Sequence, residues 1–287
     1  MITHNNQTYK VVCVTPAGRE RYLSIFKKFI YRKMEEGLVD GWQLWQNTVN
    51  PTDIAYLESM AKENPKVKVY TLDEAITPTW ESYNAMQTHK FSKYAMEDDT
   101  IYIRFDDDII WCEEGAIEKI AKARIDCPNA LYIYPNVINS TWITSMHQEI
   151  GALSEEKGRV KRYNPSDPNQ AYLDEFNYSN SDLIYHIHTT FKKRYEEKSL
   201  SAYYLPSKSL DEYQRFSICC VAWWGKDHLQ VGELEEEWVS WGEPFRRQRP
   251  NFLVGDALMF HFAYHTQRPW LESTHPECLE YFKEITK

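Results

Sequence analysis

Apolar and polar positions fall into repeating blocks over the first third of the chain. Lys10-Val11-Val12-Cys13-Val14 is a Val-rich run stopped by Thr15-Pro16-Ala17-Gly18, and residues 19–34 then place apolar side chains at helical spacing. Trp42-Gln43-Leu44-Trp45 breaks at Gln46-Asn47-Thr48 and is followed by a helix-like stretch after Pro51. Lys66-Val67-Lys68-Val69-Tyr70 stops at Thr71-Leu72-Asp73, and a helical period over 79–94 leads to Thr100-Ile101-Tyr102-Ile103-Arg104-Phe105. That fourth run passes directly into Asp106-Asp107-Asp108. Strands alternating with helices predict an α/β fold with a Rossmann-like, mostly parallel central sheet flanked by helices. Ligands of such sheets gather at the carboxyl edge of the strands, where the aspartates fall.

Beyond that half the pattern changes. Residues 139–210 are polar, Tyr-rich and turn-rich, with Asn164-Pro165-Ser166-Asp167-Pro168-Asn169 in their midst, and are expected to form an insertion or lid. Regular apolar sequence returns at Phe216-Ser217-Ile218-Cys219-Cys220-Val221-Ala222-Trp223-Trp224, then an acidic helix-like piece, then a run from Asn251 through His261. Residues 1–287 therefore read as a single domain in three parts: 10–138, 139–210 and 211–287.

Composition narrows the field of functions. A net charge of -9 repels polyanions, so any nucleic-acid role must rest on a local basic patch. The 6 cysteines form no C-x-x-C pair, which argues against a zinc site or a disulfide framework and for reduced, mostly buried thiols. The longest nearly uncharged apolar run, 216–225, is too short to span a bilayer, and no charged-then-apolar segment opens the chain. A cytoplasmic protein is expected.

Three adjacent carboxylates raise one another's pKa unless a cation neutralises them. Asp107 and Asp108 could also end a strand and cap the next helix, but the strand before them and Arg104 beside them favour a site. Ile103-Arg104-Phe105-Asp106-Asp107-Asp108-Ile109 resembles the D-x-D motif of GT-A fold, metal-dependent nucleotide-sugar glycosyltransferases, with three strand-helix units before it in the order that fold requires. The resemblance implies that 10–138 binds a UDP- or other NDP-sugar donor and that Mn²⁺ or Mg²⁺ is the cofactor. Asp106 would touch the ribose or the metal's water shell, and Asp108 would ligate the metal. Thr15, Pro16, Arg19, Asn47 and Asp73, at the ends of the first three strands, become candidate donor contacts, with Arg104 and Asp107 beside them.

The same resemblance makes 211–287 the acceptor-binding, metal-completing half. Val254-Gly255-Asp256-Ala257-Leu258-Met259-Phe260-His261 resembles the strand that supplies a histidine ligand, so His261 joins Asp106 and Asp108 as a metal candidate, with His265 as its competitor. Attack by an acceptor hydroxyl needs a carboxylate base, for which Glu236 and then Asp227 are the candidates. Trp224 and the basic stretch Arg246, Arg247 and Arg249 are candidate acceptor contacts. A surface glycan or glycolipid ranks first as acceptor and hydroxymethylated bases of viral DNA second. A non-catalytic nucleotide-sugar-binding module is the reading of another class. A nucleotidyltransferase is disfavoured because Thr15-Pro16-Ala17-Gly18 holds a single glycine.

Overall fold

The Val-rich run near the start of the chain lies inside a longer strand, β2 (Gln7–Ala17), whose last seven residues are buried. The computed structural model describes residues 1–72, 88–160, 180–210, 216–230 and 238–286. β2 takes in Thr15-Pro16-Ala17, expected as loop, because pairing with β3 (Gly41–Gln46) continues to Ala17 opposite Gln46. Proline is tolerated there because pairing with β5 (Thr100–Phe105) has already ended at Val14, leaving no ladder on that side to interrupt.

β4 (Val67–Tyr70), β3, β2 and β5 lie side by side and parallel. β9 (Cys220–Trp224) runs antiparallel between β5 and β7 (Ile133–Ile138), and β7 is parallel to β10 (Asn251–His261). β6 (Ile109–Cys112) closes antiparallel on β10, while the short β1 (Ile2–His4) and β8 (Lys208–Leu210) pair with β2 and β10. The order β4-β3-β2-β5-β9-β7-β10-β6 is the expected mostly parallel α/β sheet. β2, β3, β4, β5, β7 and β10 therefore all end at one edge.

Helices cover both faces. α1 (Glu20–Glu35) turns Leu23, Phe26, Phe29 and Ile30 into the core beneath the first strands. α2 (Pro51–Glu63) starts at Asn50, whose side chain accepts from the Thr52 amide at 2.9 Å, with a proline in its first turn where no N–H is needed. The turn α3 (Thr88–Phe91) falls in the region expected to be helical over 79–94, of which 79–87 lies outside the described residues. α4 (Ala116–Asp126) and α5 (Thr141–Glu149) follow β6 and β7.

The stretch expected to be a polar insertion is partly core. α6 (Ser181–Glu196) buries Leu183, Ile184, Ile187 and Phe191. Phe191 stands 4.7 Å from Phe260 of β10 and 5.3 Å from Phe282 of α9 (Glu277–Ile285), ring centre to ring centre. The apolar positions recur every three or four residues there, a signal masked in the sequence by the charges between them. α7 (Trp238–Arg247) and α8 (Arg268–Thr274) complete the carboxyl-terminal part. No described helix is long and apolar enough to cross a membrane, and all 6 cysteines are unpaired thiols.

Two core histidines tie this packing to pH. His188 Nε2 donates to the Phe262 carbonyl at 2.8 Å, and burial pushes its pKa down to about 4. His147 Nε2 donates to Asn136 Oδ1 at 2.9 Å, and burial pushes it down to about 3. In the unfolded chain both titrate near ~6.5, so below that pH the unfolded state takes up protons that the folded state refuses. Stability is therefore full above about pH 6.5 and falls as pH drops towards 4. Urea midpoints measured between pH 7 and 4.5 should decline, and His188→Gln should flatten the decline; identical slopes would contradict it.

Candidate active site

Six parallel strand ends at one edge make that edge the place to look, and the acidic triplet is there. After β5 the chain turns tightly: the Ile109 amide returns to the Asp106 carbonyl at 3.1 Å, and the Asp106 amide is held by the Cys219 carbonyl at 2.8 Å. β6 then pairs with the end of β10, Ile109 opposite His261, with a register shift between Phe260 and His261. The Phe262 amide also donates to the Asp108 carbonyl at 2.9 Å. This pairing brings His261 against Asp108, Nε2 to Oδ2 at 3.3 Å.

Each aspartate meets a guanidinium. Asp106, the most exposed of the three, accepts from Arg104 at 2.8 Å. Asp107 accepts from the Gly18 amide at 2.8 Å and from Arg19 through Nε, also at 2.8 Å, and through the neighbouring amino group. Asp108 accepts from Arg268 at 2.7 Å and lies 3.2 Å from Arg19. Burial alone would raise the Asp108 pKa, but Arg19, His261 and Arg268 outweigh it and hold the carboxyl far below the usual range. Burial also disfavours charge on Arg19, which Asp107 and Asp108 more than reverse. Arg268 is pushed down, by burial first and by Arg19 next. The Tyr22 ring lies beneath both guanidiniums, 5.8 Å from Arg19 and 5.6 Å from Arg268.

The β2–α1 turn needs its glycine. A Cβ on Gly18 would stand 2.9 Å from the Asn47 carbonyl and 3.0 Å from Thr48 Cβ, so only glycine lets the turns after β2 and β3 meet. Asn47 Oδ1 is buried with no hydrogen-bond partner among the described residues. Thr15 is fully buried and accepts from Trp42 Nε1 at 3.0 Å, and Pro16 is buried in the β2–β3 pair; both are structural where donor contacts were expected, because the strand runs on past them. Beside Arg19 opens a polar cleft of about 300 Å³, lined also by Arg21, Asp53 and Lys283.

Other sequence candidates do not reach this edge. β9 is antiparallel, so Trp224 pairs with Ile101, five residues before Asp106 and roughly 16 Å away along the strand. Asp227 follows Trp224 at that far end and is held by Arg249 at 2.5 Å. Arg246 and Arg247 both bond Glu243. The basic stretch is thus partly matched by Glu243 and Asp227, and it lies just before β10 begins at the edge opposite the aspartates. Glu236 and Asp73 lie outside the described residues. His265, the competitor of His261, is exposed in the turn after β10; the segment is a strand, so the helical spacing of the two histidines does not apply.

Arg268 and Gly18 were not singled out in the sequence, yet a signal for Arg268 exists. Arg268 opens α8 and Arg19 caps α1, where the helix dipole disfavours a cation. An arginine placed against that preference implies a nearby carboxylate.

Replacing Asp107 by alanine would take from the half-buried Arg19 its main partner and leave it Asp108 at 3.2 Å, a change whose upper bound is the loss of about 3–5 kcal/mol incurred when a buried pair is broken. Urea denaturation of Asp107→Ala should show a loss of that order. A loss under about 1 kcal/mol would mean that the pair behaves as a surface contact and does not clamp the turn.

No family model matches the sequence, and no protein of curated function matches it. Among solved structures, one titled "Crystal structure of 4-diphosphocytidyl-2C-methyl-D-erythritol synthase" aligns with a TM-score of 0.33 and 11% identity over 44% of this chain. The aligned part spans 60% of that enzyme's own length.

Proposed function

We propose that the chain is a glycosyltransferase that moves a sugar from a nucleotide-diphosphate sugar to an acceptor hydroxyl with the help of a divalent cation. The observation that supports this most directly is the approach of His261 Nε2 to Asp108 Oδ2, 3.3 Å apart, at the carboxyl edge of a mostly parallel sheet. It joins a carboxylate from the end of β5 to an imidazole from the end of β10.

The donor set suits Mn²⁺ or Mg²⁺. His261 Nδ1 lies 3.1 Å from the Asn139 carbonyl, which can only accept, so Nδ1 carries a proton and Nε2, the ring nitrogen facing Asp108, is the one that would ligate a cation. An imidazole beside a carboxylate matches Mn²⁺, and Mg²⁺ also binds through one or two carboxylates completed by phosphate oxygens and water. Among the described residues no group of three or more His, Cys, Asp and Glu side chains is arranged to hold an ion, so the remaining positions would fall to the donor's diphosphate and to water. Bound there, the cation would polarise the leaving diphosphate. Asp106, the exposed member of the triplet, would reach the ribose or the cation's water shell. Asp107 keeps Gly18 and Arg19 in position, and Arg19, which also lines the neighbouring cleft, would meet a phosphate.

Proton removal from the acceptor falls to Glu236, since Asp227 is bonded to Arg249 at the far end of β9. Arg246, Arg247 and Arg249 pair with Glu243 and Asp227 at the edge opposite the aspartates, which favours a glycan or glycolipid acceptor over DNA, because a duplex would need a basic surface beside the site.

Thermal unfolding with a panel of nucleoside diphosphates and nucleotide sugars, with and without Mn²⁺, tests the reading. One nucleotide should stabilise the protein only when Mn²⁺ is present, by about 2.7 kcal/mol at a hundredfold excess over Kd. Asp108→Asn should abolish that gain and lower turnover roughly 100-fold or more. Full Mn²⁺-dependent turnover in Asp108→Asn would defeat the proposal, and nucleotide binding without donor hydrolysis or transfer would make the chain a binding module.

A further inference from the structure

We propose that Arg268 is a diphosphate-binding residue whose contact with Asp108 would be exchanged for a phosphate when the divalent cation is held by that carboxylate. The inference rests on the donor and cation assigned above and deepens them.

Three observations carry it. Asp108 Oδ2 is shared: Arg268 donates to it at 2.7 Å, His261 approaches it at 3.3 Å and Arg19 at 3.2 Å. A cation held by Asp108 and His261 would compete with these guanidiniums for the carboxylate. Second, Arg268 is nine-tenths buried, and its Nε–H finds no hydrogen-bond partner among the described residues. A buried donor left without a partner costs free energy that a ligand acceptor would recover. Third, its other bond, to the Ala263 carbonyl at 3.1 Å, keeps the side chain anchored while the Asp108 contact is exchanged.

Charge balance gives the exchange its direction. The two carboxylates Asp107 and Asp108 are matched one for one by the guanidiniums of Arg19 and Arg268. A divalent cation alone would add two positive charges beside the guanidiniums of Arg19 and Arg268, and burial together with Arg19 already disfavours charge on Arg268. A diphosphate arriving with the cation restores the balance and gives Arg268 a planar, bidentate partner in place of Asp108. Cation and diphosphate should therefore strengthen each other's binding, by the same factor in either order.

The test titrates the intact protein with Mn²⁺ alone, followed by electron paramagnetic resonance, and with inorganic pyrophosphate at fixed Mn²⁺, followed by calorimetry. In Arg268→Gln, Mn²⁺ alone should bind about 10-fold more tightly than in the wild type, because a charged hydrogen bond no longer competes for Asp108, while pyrophosphate should bind about 10-fold more weakly. Opposite shifts of the two ligands are the signature, since simple loosening of the fold would weaken both. If the wild type binds Mn²⁺-pyrophosphate and Arg268→Gln binds Mn²⁺ no more tightly than it does, the role assigned to Arg268 is wrong and the donor reading stands. If the wild type binds pyrophosphate with no Mn²⁺ dependence, or not at all, both fall. Should Arg268→Gln fail to fold by circular dichroism, Arg268→Lys decides: it keeps the charge but loses the fork, so pyrophosphate should weaken while Mn²⁺ alone is unchanged. Undiminished pyrophosphate binding in Arg268→Lys overturns the proposal.

Discussion

Three carboxylates in succession at the end of a buried strand are the constraint around which this protein is arranged. Like charges so close would drive at least one of them to protonate unless matched. The fold answers with Arg104, Arg19 and Arg268, one principal partner for each acid. These arginines come from the strand itself, from the turn after the first long strand, and from a helix 160 residues downstream. The charge problem thus draws three distant segments to one edge, and the geometry that solves it also builds the candidate site.

Much of this edge was legible in the sequence because it depends on local pattern. The run Thr100-Ile101-Tyr102-Ile103-Arg104-Phe105 has the length and composition of a buried strand, and it is β5 from Thr100 to Phe105. The run ending at His261 likewise is β10. The approach of His261 to Asp108 depends on β6, a four-residue strand too short and too uniformly apolar to be told from a turn by periodicity alone. Thr15 and Pro16 misled for a related reason. Thr-Pro reads as a breaker, and only the unpaired flank of β2 towards β5 explains why it is not one here.

The acceptor-side assignments failed on topology. Trp224, Asp227 and the arginines near Arg249 stand close to chemically suggestive neighbours in sequence, but which end of the sheet they occupy depends on the direction of β9. An antiparallel strand inside a parallel sheet sends its carboxyl end to the wrong edge, and no spacing in one sequence announces that reversal. Glu243 and Asp227 then hold these arginines at that edge. Likewise α6 was hidden in a polar stretch whose apolar stripe becomes visible only against the Phe260 and Phe282 it covers.

The long span between Asp108 and Arg268 bears on how the chain is made. Domains begin to organise from the amino end as synthesis proceeds, and β2 to β5, with Arg104 and Arg19, can assemble while the last helices are still unmade. Until residue 268 emerges, Asp108 lacks its shortest contact to a basic group, and the nascent edge carries an excess of negative charge that repels phosphates. Charge matching at this edge is thereby deferred to the closing stage of translation, and a chain cut short before α8 would leave Asp108 without the guanidinium nearest to it.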